Sequence, residues 1–177
     1  MKKLILLGLT VILFASCKQT EQRYFDESAE IDTVKQLYQL VEEGNYDEAR
    51  TFYNDTAKVF VNSSKAVSPD EMTAANKKGR ADFTMFTFKD SIYPEMVITK
   101  SGSTWVNTWP TWVGKVKGSD TEITLPLHLS FQFKDGKIVR YEGFWDNLPI
   151  YLEREKVKAS MNEASETSNE ESEALKK

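Results

Sequence analysis

His128, Asp146, Glu142, Asp55 and Cys17 are the side chains of this 177-residue chain whose types and settings could do chemistry. His128 is the single histidine, and imidazole alone has an unperturbed pKa near neutrality, so any histidine general base must be this one. Asp146 follows Phe144 and Trp145. Desolvation beside two aromatics would raise its pKa and suit acid-base work, whereas a plain strand-end Asp would cap the following Asn147-Leu148-Pro149 turn. Glu142 and Arg140 share the Asp146 face by alternation, either as a polar pair in a cavity or as a surface ion pair of little energetic weight. One cysteine excludes an intrachain disulfide, and one cysteine with one histidine cannot build the usual zinc sets. The chain has no spaced Asp/Asn run of a calcium loop, no Gly-rich phosphate loop and no nucleophile elbow. No metal and no cofactor are expected.

Cys17 has a different setting. Met1-Lys2-Lys3 is basic, Leu4 to Phe14 is an apolar run of 11 residues broken only by Gly8 and Thr10, and Ala15-Ser16 are small. This is a secretory signal pattern. As helix the run reaches only about 16 Å, too short to span a bilayer. Phe14-Ala15-Ser16-Cys17 resembles the lipobox of bacterial lipoproteins, although Phe14 stands where Leu, Val or Ile is usual. The resemblance implies a signal peptide at 1–16, lipidation of Cys17, a tether at 17–26, and a chain anchored in the bacterial cell envelope by its acyl groups. The alternative is an ordinary secreted protein with Cys17 as a free thiol. The net charge of −4, with basic residues scattered, leaves no electrostatic footprint for nucleic acid.

The elements that must position these groups are legible from periodicity. Ile31, Val34, Leu37, Tyr38 and Val41 recur at helical spacing over about 27–43, with Gly44 as the stop. Asn45 with Glu48 reads as a capping box for a short second helix, which Asp55 caps or terminates. Ser68-Pro69-Asp70-Glu71 starts a third helix to about Ala81, turning Met72, Ala75 and Gly79 inward. Strands are expected at 58–61, 84–88, 96–100, 104–116, 121–133 and 137–146, the last two joined by the Asp135-Gly136 turn. Ile123, Leu125, Leu127, Leu129, Phe131 and Phe133 share one face. Pro126 favours an edge, bulge or bend. If the Leu face covers the helices, His128 lies on the outer face. Trp105 and Trp109 share one face while Trp112 takes the other, so one face lines a core or pocket and the other meets a dimer partner, carbohydrate or lipid. Residues 159–177, rich in Glu, Ser and Asn, read as a disordered acidic tail.

Three helices before a long twisted antiparallel sheet make an α+β domain. That order, with "FYNDTAKVFV" around Asp55 and "FQFKDGKIVRYEGFWD" at the end, resembles the nuclear transport factor 2-like superfamily, including SnoaL-like cyclases and ketosteroid isomerases, over residues 27–153. The resemblance implies a curved sheet wrapped around the helices as a cone, an apolar pocket open at one end, and strand-end or helix-exit carboxylates near it. Carried onto this chain, the pocket candidates are Asp55, Trp105, Trp109, Glu142, Phe144 and Trp145. The leading reading is a lipid-anchored envelope protein that binds a small apolar ligand or an envelope partner without catalysis. The alternatives are a cofactor-free isomerase, cyclase or hydrolase using Asp146 with His128, and a homodimerisation module without ligand.

Overall fold

The computed structural model describes residues 21–89 and 91–174, with side chains to residue 166. The expected signal peptide, Cys17 and the first part of the tether lie outside the described residues. After a two-residue strand β1 (Tyr24–Phe25), helix α1 (Ala29–Glu43) begins where Ser28 Oγ accepts from Ile31 N at 3.1 Å and ends at Gly44, whose φ of 80° needs no Cβ. Its buried stripe is Ile31, Val34, Leu37, Tyr38 and Leu40, with Val41 half-buried. Helix α2 (Tyr46–Arg50) lacks the expected cap. Asn45 instead closes α1: its N–H donates to Leu40 O at 2.8 Å and its amide to Glu43 Oε2 at 2.9 Å. In α3 (Pro69–Arg80) the box forms in full, Ser68 Oγ accepting from Glu71 N while Glu71 Oε2 accepts from Ser68 N at 2.7 Å.

The strands are β2 (Tyr53–Val61), β3 (Phe83–Lys89), β4 (Glu95–Ile98), β5 (Thr104–Thr108), β6 (Thr111–Val116), β7 (Glu122–Pro126), β8 (His128–Lys134) and β9 (Lys137–Phe144). They form a six-stranded sheet, β1-β4-β5-β8-β9-β2, and a three-stranded sheet, β3-β6-β7. One pair departs from the antiparallel expectation. β2 starts earlier than the sequence suggests and runs parallel to β9, which its long crossover through α3 and the other strands permits. Asp55 therefore sits in a strand and not at a helix end.

Both long strands expected from the sequence divide. The first breaks at Trp109-Pro110 between β5 and β6, the second at Leu127 between β7 and β8. Leu127 N donates to Pro110 O at 2.9 Å, so the two corners lie side by side and each chain leaves one sheet for the other. Alternation survives the corner: Ile123, Leu125, Leu129, Phe131 and Phe133 are buried, Leu127 is half-buried, and Thr124, Pro126 and His128 are exposed. At the hairpin Asp135 (φ 53°) and Gly136 (φ 73°) both take positive φ, as a tight two-residue turn with the sheet's twist requires. The result is an α+β fold with a curved sheet covering α1–α3.

A final helix, α4 (Leu148–Ala174), runs through the segment expected to be unstructured from residue 159. Val157 is half-buried, but from Lys158 to Glu166 every side chain is exposed. Ala, Glu, Lys and Met favour helix without tertiary support, which composition read as disorder leaves out.

Candidate functional site

A cavity of about 500 Å³ opens between the helices and the inner faces of both sheets. α1 contributes Leu37, Tyr38 and Val41, and α3 contributes Met72, Ala75 and Gly79, the residues its periodicity turns inward. β3 and the corner strands bring Phe86, Phe88, Trp112, Leu125 and Leu127. The start of α4 brings Ile150 and Tyr151 to the same space. Edge-to-face contacts knit this wall, Phe83 and Phe86 standing 5.3 and 5.5 Å from Trp112, and Phe88 4.7 Å from Tyr38.

The polar groups include the phenols of Tyr38, Tyr53 and Tyr141. The Tyr38 hydroxyl and Thr108 Oγ1 are hydrogen-bonded at 2.7 Å, and Thr108 Oγ1 also stands 3.2 Å from Leu129 O. Tyr53 and Tyr141 pack edge to face at 6.5 Å and both line the cavity. Burial pushes the pKa of all three phenols up: Tyr38 and Tyr53 rise well above the usual tyrosine value and Tyr141 is also raised. They are neutral hydrogen-bonding groups, poor as bases. Three guanidiniums also reach the cavity. Arg50 is paired with Asp70 at 2.6 Å and Asp55 at 3.0 Å, and Arg154 with Asp82 at 2.7 Å. Arg80 donates to Phe83 O at 3.0 Å and stands 5.4 Å from the centre of the Phe86 ring. Among the described residues that line the cavity there is no Asp, Glu, His, Lys or Cys.

Of the sequence candidates, only Trp145 meets this space. Asp146 is exposed and its Oδ1 accepts from Leu148 N at 2.8 Å, the strand-end capping arrangement. His128 is exposed on the outer face, its ring stacked on Trp109 at 5.3 Å and 10°. Glu142 accepts from Arg140 at 2.6 Å, and Arg140 in turn lies 4.2 Å over Phe60, so this pair belongs to the outer face and not to the cavity. Asp55 is solvent-exposed against Arg50. Trp105, Trp109 and Phe144 likewise belong to the outer face, where Trp109 and Phe144 are 43% and 48% exposed. Their partners across the strands, Gln132 for Trp105 and His128 for Phe144, are on that face too. A second indole lines the cavity beside that of Trp145, that of Trp112, the one the alternation placed opposite Trp105 and Trp109. Tyr38, Tyr53 and Tyr141 were missed as site residues. Tyr38 carried a signal in the apolar stripe of α1, while Tyr53 and Tyr141 meet only through the parallel β2–β9 pairing.

No family model matches the chain, and no curated protein matches it. Solved structures do. A Xanthomonas campestris pv. campestris protein provisionally assigned as a polyketide cyclase superposes with a TM-score of 0.58 at 13% identity, over 71% of this chain and 96% of that one. A Jannaschia protein provisionally assigned as a SnoaL-like polyketide cyclase gives 0.55 at 18% identity, over 74% and 94%. The fold is the SnoaL-like cone. An LEH-like epoxide hydrolase of Mycobacterium tuberculosis matches the same cone with a TM-score of 0.52 at 10% identity, over 75% and 94%. At these identities the likeness concerns the fold, and what the cone does here rests on its own lining.

Proposed function

We propose that this chain is a lipid-anchored envelope protein, held through Cys17, whose cavity binds a small apolar ligand without transforming it. The carrying observation is the lining: an aromatic and aliphatic cavity of about 500 Å³ with no carboxylate, imidazole, amine or thiol among the described residues that face it. Its guanidiniums also oppose a cationic occupant. The exposed aromatics of the outer sheet face, Trp109 and Phe144 with Tyr24, are the surface we propose for a second copy.

The competing reading is a cofactor-free cyclase, isomerase or hydrolase, and the names of the structural neighbours favour it to a similar degree. Against it stands the distance in chemistry: proton transfer would fall to phenols whose raised pKa values suit donation of hydrogen bonds better than abstraction of protons. The test is titration of the purified full chain with the neutral fluorophore N-phenyl-1-naphthylamine. Saturable binding is expected, with Ala75→Trp, which fills the α3 side of the cavity, lowering affinity at least about tenfold, the loss expected on overpacking a site by 1–3 kcal/mol. Absence of saturable binding in the wild type would remove the ligand reading.

A further inference from the structure

The cavity has one polar corner that its apolar walls do not explain. Tyr46, Asn76 and Arg80 line it together. Asn76 and Arg80 are four residues apart on α3 and so share a face, with Tyr46 opposite them on α2. Tyr46 is only 5% exposed. Asn76 is exposed and the Tyr46 hydroxyl is accessible, so both are free to meet a ligand, and among the described residues Arg80 has no carboxylate partner. The charge of Arg80 is felt at the Tyr46 phenol, where it opposes the upward push of burial on the pKa.

The contrast with the other two guanidiniums is informative. Arg50 and Arg154 come to the cavity already neutralised by Asp55, Asp70 and Asp82. Arg80 is half-buried, with one N–H used on Phe83 O and the rest of its donor fork unmatched by protein. A guanidinium without a carboxylate partner leaves donors open to an anion, and a carboxylate can accept two of its N–H bonds side by side. Beyond this corner the walls turn to Leu37, Val41, Met72 and Phe86.

Building on the ligand-binding reading, we infer that the cavity takes an anionic amphiphile of the fatty-acid class, its carboxylate on Arg80, Tyr46 and Asn76 and its chain among the aromatic walls. The corner is donor-rich and acid-free, so it selects the head group, while the walls select chain length and not identity.

The experiment is displacement of N-phenyl-1-naphthylamine from the full chain by decanoate and by decanol. Decanoate is expected to compete about tenfold better than decanol, as roughly one charge-assisted hydrogen-bonded pair would give. Arg80→Gln should bring decanoate down to the level of decanol while leaving decanol unchanged, and Arg80→Lys should restore part of the difference. Equal competition by decanoate and decanol in the wild type overturns the assignment and leaves apolar binding standing, a result that does not depend on whether the variants fold. Equal loss of decanoate and decanol binding in Arg80→Gln, with the fluorophore still bound, also overturns it. If the fluorophore itself does not bind, the ligand reading falls, and the head-group assignment falls with it.

Discussion

Gly114 shows how a single hydrogen shapes the cavity wall. Trp112 and Gly114 are two apart on β6 and share a face, and the indole lies across the glycine so closely that an added Cβ would collide with its six-membered ring. Behind it stands Met85 O, 3.0 Å from that Cβ position. Neither the ring nor the backbone can yield without moving the wall. Gly114→Ala should therefore cost about 1–3 kcal/mol in denaturant unfolding, as overpacking of a filled site does, and weaken fluorophore binding in parallel. A neutral outcome in both would mean that the indole has room to lie elsewhere. Gly143 repeats the device on β9, beneath the Tyr141 hydroxyl at 2.6 Å and the Trp145 ring at 2.8 Å. The same scale explains the misplaced acids. Asp146 is next to two aromatics in the chain, but a side chain this short at a strand end reaches the nearest free N–H, that of Leu148, before it reaches any cavity.

At the scale of elements, α4 is the piece that carries Ile150 and Tyr151 to the cavity mouth, and two polar contacts dock it. Arg154 reaches Asp82 at the α3–β3 turn, and Glu153, only 6% exposed, accepts from Ser119 Oγ at 2.5 Å on the β6–β7 turn. The bond from Ser119, with further ones from Thr121 and Lys156, lowers the Glu153 pKa from its usual 4.5. A depressed carboxylate pKa gives stability that is present above the unfolded-state value and is lost as pH falls through the folded one. Amide exchange corrected for its intrinsic rate should thus show residues 148–157 losing protection as pH falls below the usual glutamate value of 4.5. Ser119→Ala should already lower that protection at neutral pH and flatten its pH dependence. Unchanged protection in Ser119→Ala would mean that apolar packing of Ile150 and Val157 docks the helix by itself. The prolines act at this scale as well. Pro126 announced a bend, while the matching break at Trp109-Pro110 was hidden inside an alternating run, because an interrupted ladder disturbs hydrogen bonding and not side-chain period.

For the whole molecule, location and binding are separable. The residues that line the cavity begin at Leu37, well after Cys17 in the chain, so the anchoring proposal has its own test: Cys17→Ser should move the chain from the membrane to the soluble fraction on cell fractionation, with fluorophore affinity unchanged within about twofold. Retention of the variant in the membrane fraction would refute lipid anchoring. What the amino-acid order determined by itself is local or periodic: the Ser68 box, the Gly44 stop, the Asp135-Gly136 turn, and the buried stripe from Ile123 to Phe133. Each follows from dihedral preference or from which residues share a face. Which way a face turns is another matter. It depends on packing between elements distant in the chain, so only the tertiary structure decided that Trp112 and not Trp105 or Trp109 meets the cavity, that β2 joins β9 in parallel to bring Tyr53 to Tyr141, and that every acid proposed for the site lies outside it.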